Sequence, residues 1–227
     1  MTYTIYGRIF CTLLGLLLTM MTPLASKAEE PAMDKQTLEV VTRIKNIEAT
    51  LRTFEARFHQ IQKSRMFEDI VESQGVIYYN ADGRLRFSVL RPSPFTVLME
   101  GEWITVHDPE SNHTQRHHMG PRRNLLKAFF GVGETLDQLN KRFDVRATAN
   151  APLPGYTLTM APKKSLLARK VQQITALVDD RTWLPLQVVI QQSEAEWSRM
   201  DLDFISVNKS LPAGAFVLDV EKEPITE

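Results

Sequence analysis

Residues 75–109 constrain the fold most, because apolar side chains fall there on alternate positions. The apolar positions are Leu85, Phe87, Val89, Phe95, Val97 and Met99. A period of two is that of a β-strand with one buried face and one solvated face. The pairs Asp82-Gly83 and Glu100-Gly101 predict tight turns between consecutive strands. We therefore expect an antiparallel sheet whose apolar face is covered by another layer.

Further strands are predicted over most of the remaining chain. They cover residues 57–72, 143–149, 155–161, 170–179, 184–192, 198–207 and 216–220, separated by short turns. Short turns between consecutive strands favour an antiparallel meander. About ten or eleven strands are expected, and a sheet of that size tends to curl or close.

Two helical segments could supply the covering layer. Residues 34–54 form an amphipathic pattern, with apolar side chains at Leu38, Val41, Ile44, Ile47, Leu51 and Phe54. Residues 121–143 contain a short, strongly apolar helix with Leu125, Leu126, Phe129 and Phe130, and a second helical turn near residues 135–141. The apolar helix is either a mobile lid or a fixed plug, since the pattern alone does not separate the two.

The N-terminus predicts a cleaved signal peptide over residues 1–28. Arg8 precedes an apolar run over 9–21, and Ser26 and Ala28 are small residues at the positions that a signal peptidase reads. Residues 29–227 would then form a single domain. Cys11 is the single cysteine, so this domain would have neither disulfides nor thiol chemistry.

Charge excludes nucleic acid as a partner. The chain has 27 basic and 27 acidic side chains. Loss of residues 1–28 removes two of the cations and no anion, which leaves a net charge of −2. Such a domain has no charge excess that would draw it to a polyanion.

Candidate catalytic or metal-binding residues are few. His107, His113, His117 and His118 cluster, but their spacing matches no zinc signature, and surface histidines of a hairpin are the alternative. No serine lies in a Gly-x-Ser-x-Gly turn, and no glycine loop opens a helix to hold phosphate. We therefore expect a protein that is not an enzyme and has no cofactor.

A series of short motifs, in order along the chain, resembles the LolA family of periplasmic lipoprotein carriers. They are Phe58-x-Gln60, Ser73-Gln74-Gly75-Val76, Gly83-Arg84-Leu85-Arg86-Phe87, the segment from Glu100 to Pro109, the apolar helical insert, the segment from Ile174 to Asp179, Pro185-Leu186 and the segment from Phe216 to Val220. Each motif is weakly specific, and their order carries the resemblance, which covers nearly all of residues 29–227.

The resemblance implies a mainly β fold with some α-helix. It would be an unclosed, strongly curved antiparallel half-barrel, covered by the N-terminal helix and the short helical lid. It also implies a periplasmic monomer that binds acyl chains of lipoproteins, or another lipid. An inner-membrane ABC-type extractor would supply the lipoprotein, and an outer-membrane acceptor lipoprotein would receive it.

The predicted lipid cavity combines the apolar strand positions with both helices. Its residues are Leu38, Val41, Ile44, Leu85, Phe87, Val89, Val97, Met99, Leu125, Leu126, Phe129 and Phe130. An ordinary core would show the same alternation. The chain has Asn80-Ala81-Asp82 where the family often carries Arg-Pro. A specialised module that binds or senses lipoproteins without transporting them is the alternative function.

Overall fold

The computed structural model describes residues 33–64, 70–118, 136–150, 154–163 and 167–218. Within these ranges the chain forms eleven strands, two α-helices and one turn of 3-10 helix over Leu167–Arg169. The strands are β1 (Thr53–Lys63), β2 (Val71–Asn80), β3 (Arg84–Arg91), β4 (Phe95–Glu100), β5 (Trp103–Asp108), β6 (His113–His118), β7 (Phe143–Ala149), β8 (Tyr156–Pro162), β9 (Gln173–Val178), β10 (Pro185–Ser193) and β11 (Glu196–Val207). The helices are α1 (Lys35–Thr50) and α2 (Leu136–Arg142).

All eleven strands belong to one antiparallel sheet, in the order β6-β5-β4-β3-β2-β1-β11-β10-β9-β8-β7. β1 and β11 join two meanders at the centre, pairing from Phe54 opposite Val207 to Lys63 opposite Trp197. β6 and β7 form the two ends, and in the described part of the chain they do not pair with each other. The sheet is therefore an unclosed half-barrel, which confirms the predicted fold class.

Two separate groups of buried side chains lie along the sheet. The aromatic cluster consists of Leu51, Phe54, Ala56, Phe58, Ile77, Leu85, Phe87, Val89, Val97, Met99, Ile104 and Leu202. The helix cluster consists of Val40, Val41, Leu139, Phe143, Val145, Ala147, Leu158, Val171, Ala176 and Val178. Both helices contribute to the helix cluster and neither contributes to the aromatic cluster, so they pack over the β7–β9 end of the sheet.

The start of α1 is fixed to the edge strand β7. Asp34 is the N-cap, and its carboxylate accepts both the N–H of Thr37 at 2.9 Å and the hydroxyl of Thr37 at 2.7 Å. The hydroxyl oxygen of Thr37 in turn accepts the N–H of Ala147 at 2.9 Å. Capping the helix and satisfying an edge-strand donor are thus done by the same pair of side chains.

A second contact ties α1 to the turn between β9 and β10. Trp183 lies in this turn with φ of 57°, and its ring stacks on Tyr156 with centroids 5.3 Å apart. The Arg43 guanidinium of α1 lies 5.0 Å from the centroid of the Trp183 ring. Asp179 shapes the turn by accepting hydrogen bonds from Thr182 and Arg181, which lower the pKa of its carboxyl.

The predicted helix over 34–54 is wrong at its C-terminal end. α1 ends at Thr50, and Leu51 is extended, with φ of −72° and ψ of 117°. Leu51 and Phe54 fit the spacing of the helix stripe, yet both pack in the aromatic cluster. Phe54 belongs to β1, where it pairs with Tyr79 and Val207, so the strand begins earlier than residue 57 as well.

The predicted strand over 216–220 is also wrong in its described part. Residues 213–216 form a turn and 217–218 are irregular. The Arg86 guanidinium holds this segment, donating to the carbonyl oxygens of Gly214 at 3.3 Å, Ala215 at 3.5 Å and Val217 at 3.0 Å. Three carbonyls that bond to one side chain are not available to a strand ladder.

Candidate functional site

The aromatic cluster forms an extensive apolar face of the sheet that contains several stacked rings. Phe58 and Phe87 stack with ring centroids 4.3 Å apart and an interplanar angle of 19°. Phe54 stacks on Tyr79 at 5.2 Å and meets the edge of Phe204 at 5.4 Å. Burial of rings of this size supplies much of the stability of a sheet face.

Gly75 makes the stacking of Phe58 and Phe87 possible. It follows an irregularity in the pairing of β2 with β3, between Gln74 and Gly75. A Cβ atom at Gly75 would lie 1.9 Å from the carbonyl oxygen of Ser88 and 2.7 Å from the Phe58 ring. Only glycine allows β2 to pass this close beneath the ring.

The structure divides the predicted cavity residues into separate groups. Leu85, Phe87, Val89, Val97 and Met99 lie together in the aromatic cluster, as their alternation predicts. From α1, Val41 belongs to the helix cluster and Ile44 packs against it, whereas Leu38 is 45% exposed. The lid residues Leu125, Leu126, Phe129 and Phe130 lie outside the described residues. That any of these residues contact lipid stays a prediction.

The opposite face of the sheet carries a buried polar row that the sequence pattern does not reveal. The hydroxyls of Ser88 and Thr96 are 3.1 Å apart. On the next strand pair, Nδ1 of His107 lies 3.0 Å from the hydroxyl oxygen of Thr114. These pairs are opposite one another across β3 to β6, so the strand register places them together.

The four histidines are spread over two strands and do not converge. His107 is only 5% exposed. Its cross-strand neighbour on β6 is Thr114, whereas His117 lies opposite Ile104. The other three lie on the exposed strand β6, where Nε2 of His118 is 2.9 Å from the Glu102 carboxylate. Over the described ranges, no three histidine, cysteine or acidic side chains are placed to hold a metal ion.

A cavity of about 480 Å³ lies between the β2–β3 turn and the segment 211–217. Arg52, Asp82, Arg84 and Phe216 are among the residues that line it. The turn contains Asn80, Ala81 and Asp82, at the place where the sequence resemblance predicts Arg-Pro. None of the residues that line this cavity is among those predicted for the lipid cavity. The cavity is formed by a turn and a distant C-terminal segment together, which a local sequence pattern does not predict.

Tyr79 packs against the aromatic cluster and directly precedes Asn80, which lines this cavity. Burial raises the pKa of its phenol, the positive charge of Arg52 opposes that shift, and the negative charge of Asp82 adds to it. Burial, followed by the negative charge of Glu55, likewise raises the pKa of Tyr78. Both phenols are therefore neutral at neutral pH.

Comparison with known proteins gives one family match over most of the chain. The family model described as outer membrane lipoprotein carrier protein LolA matches residues 49–219. In the described part of the chain, no helix is both long and apolar enough to cross a membrane.

Two curated relatives carry the name outer-membrane lipoprotein carrier protein. The one from Pseudomonas entomophila (strain L48) is 21% identical over 183 residues, which cover 80% of this chain and 84% of the relative. The one from Dechloromonas aromatica (strain RCB) is 39% identical over 59 residues, which cover 26% of this chain and 28% of the relative. The second match thus concerns only a quarter of each protein.

Solved structures share the fold at low sequence identity. An uncharacterised conserved protein from Thermus thermophilus aligns with a TM-score of 0.52 at 10% identity, covering 82% of this chain and 98% of that one. MucB aligns with a TM-score of 0.53 at 14% identity, covering 84% of this chain and 65% of that one. With the family match over residues 49–219, the eleven-stranded unclosed sheet and its N-terminal helix show that the chain belongs to the LolA family of outer membrane lipoprotein carrier proteins.

Proposed function

We propose that the protein is a periplasmic carrier that binds the acyl chains of lipoproteins against the apolar face formed by the aromatic cluster. The observation that carries the proposal is the composition of this face. Its twelve buried side chains come from strands and from Leu51, and none comes from α1 or α2. These side chains are already buried without a ligand, so bound acyl chains would take the place of a cover that moves away from this face.

The energetics require a cover that opens. Each buried methylene contributes about 0.8 kcal/mol, so complete burial of long acyl chains would exceed the about 20 kcal/mol at which non-covalent affinities saturate. A carrier that buried its whole ligand would not release it. Part of the binding free energy must therefore be spent on displacing a cover, and Leu125, Leu126, Phe129 and Phe130 are our candidates for it.

The carrier would act between two membranes and without catalysis. Residues 1–28 would direct export and be removed, leaving one domain over 29–227. A monomer would receive lipoprotein from an inner-membrane ABC-type extractor and deliver it to an outer-membrane acceptor lipoprotein. These partners and the periplasmic location rest on membership of the family, whose curated relatives are named as carriers.

Photocrosslinking in periplasm tests the binding face. A benzoylphenylalanine at Phe87, which is buried in the aromatic cluster, should form adducts with lipoproteins that carry acyl chains. The matched control is the same substitution at Leu90, which is 56% exposed on the other face of β3. Equal adducts at both positions, or lipid adducts at neither, would refute the proposal.

Transfer distinguishes a carrier from a module that only binds. The purified protein should release lipoprotein from inner-membrane vesicles in an ATP-dependent reaction and deliver it to outer-membrane vesicles. Adducts at Phe87 combined with no transfer would favour the alternative, a lipoprotein-binding or lipoprotein-sensing module of the cell envelope.

A further inference from the structure

The cavity between the β2–β3 turn and the segment 211–217 is lined by three charged side chains that form no salt bridge within the described part of the chain. Arg52, Asp82 and Arg84 all line it. Among the described residues, the salt bridges join other side chains, and none involves these three. Charged groups that face a cavity without pairing are available to a ligand.

One of the two guanidinium groups is held in position by an aromatic ring. Arg84 lies 4.6 Å from the centroid of the Phe216 ring. A cation–π contact attracts the guanidinium to the ring electrostatically and occupies none of its five N–H donors with an oxygen acceptor. Phe216 therefore fixes the group while leaving donors free for an anion.

The walls of the cavity are formed before any ligand binds. The side-chain oxygen of Asn80, which is buried, accepts the N–H of Arg84 at 3.1 Å, and the carbonyl of Asn80 accepts the N–H of Gly83 at 3.1 Å. On the other side, Arg86 holds the carbonyls of the 214–217 segment. Because both walls are already ordered, binding costs little conformational entropy.

The charge pattern selects a zwitterion that contains phosphate. Two guanidinium groups suit a phosphate, which accepts paired N–H bonds from arginine. Asp82 opposes a bare anion but favours one that carries a cationic group. We propose that this cavity binds a phosphoethanolamine group, with its phosphate at Arg52 and Arg84 and its ammonium at Asp82.

This proposal goes beyond the carrying of acyl chains and does not require it, because the cavity is lined by residues outside the aromatic cluster. The test therefore uses soluble ligands without acyl chains. Glycerophosphoethanolamine, glycerol 3-phosphate and inorganic phosphate are titrated into ¹⁵N-labelled protein. We expect glycerophosphoethanolamine to bind most tightly and to shift the amide signals of Gly83, Arg84 and Gly214.

Substitutions assign the site. Arg52→Gln and Arg84→Gln should each weaken the binding of glycerophosphoethanolamine by about tenfold, the effect of losing one charge-assisted hydrogen bond. Asp82→Asn should remove the preference over glycerol 3-phosphate. Arg146→Gln, which changes an exposed arginine on β7, should leave the affinity unchanged. Amide spectra of each variant confirm that it is folded.

Two results would overturn the proposal. One is inorganic phosphate binding as tightly as glycerophosphoethanolamine, and the other is an affinity that neither arginine substitution changes. Flotation with phosphatidylethanolamine vesicles, with phosphatidylglycerol vesicles as the control, identifies the source of the ligand. Flotation that Arg52→Gln weakens indicates a membrane head group, and binding of the soluble compound without flotation indicates a free one.

Discussion

The hydroxyl oxygen of Thr37 accepts a hydrogen bond of 2.9 Å from the backbone N–H of Ala147, 110 positions away in the sequence. Ala147 lies on the edge strand β7, and its N–H is buried. A buried donor without a partner is costly, so this one hydroxyl both docks α1 and terminates the sheet.

Thr37→Val should therefore lower the free energy of unfolding by about 1–3 kcal/mol, because a methyl group of equal size leaves the N–H of Ala147 unpaired. Urea denaturation measures the change. Thr50→Val is the control, since the exposed Thr50 hydroxyl donates only to the carbonyl of Ile47. Thr50→Val should lower the free energy of unfolding by about 0.5 kcal/mol. Equal losses in the two variants would contradict the role given to Thr37.

The cap residue should make stability depend on pH. The Thr37 hydroxyl, followed by the Thr37 N–H, lowers the pKa of the Asp34 carboxyl below its usual value of 3.8. A carboxyl whose pKa is lower in the folded state contributes stability above its unfolded pKa and loses it as pH falls through the folded pKa. Asp34→Asn keeps a capping oxygen but does not titrate. The stability difference between wild type and this variant should shrink below pH 3.8; a difference that stays constant with pH would exclude this linkage.

Gly75→Ala should destabilise the protein by about 3 kcal/mol, because the new Cβ would meet a backbone oxygen at 1.9 Å and the Phe58 ring at 2.7 Å. Gly101→Ala is the matched control. Gly101 has φ of 59° and open space around it, so alanine there incurs only the strain of the left-handed conformation, about 1 kcal/mol. Thermal and urea unfolding of both variants measure the costs, and the Gly75 cost should be clearly the larger.

Arg86→Gln should release the C-terminal segment from the sheet. The guanidinium donates to three of its carbonyls and, through Nε, to the Ser88 hydroxyl at 2.9 Å. Protection of the Ala215 and Val217 amides against hydrogen exchange should fall by about tenfold. Arg57→Gln is the control, because its ion pair with Asp203 is exposed. Unchanged protection in Arg86→Gln would show that other contacts hold the segment.

The sequence pattern predicts the strands well, because alternation is a local property. Leu85, Phe87 and Val89 face the same cluster, as their spacing requires. The C-terminal end of α1 is harder to predict from the sequence. Phe54 completes a helical stripe and also begins the alternation of Phe54, Ala56 and Phe58, so the sequence is consistent with either structure.

Contacts between distant segments could not be predicted. The alternation of apolar residues in the strands does not indicate which end of the sheet α1 covers. Val41 and Phe87, both predicted to line one cavity, belong to different clusters in the structure. The same is true of the cavity at Arg52 and Arg84, which needs Phe216 from the far end of the chain. Proximity in sequence groups His107 with the other histidines, whereas the strand register gives it Thr114 as its partner.

The pairing of β1 with β11 also constrains the order in which the sheet can form during synthesis of the chain. Arg57 and Asp203 face each other across this pair although 146 positions separate them. A chain that stops before Glu196 would contain two meanders with no strand to connect them. Long-range pairings of this kind slow folding, because a large loop must close first. β1 can pair with β2 early, but a ribosome must release nearly all of the chain before β1 gains its second neighbour, β11.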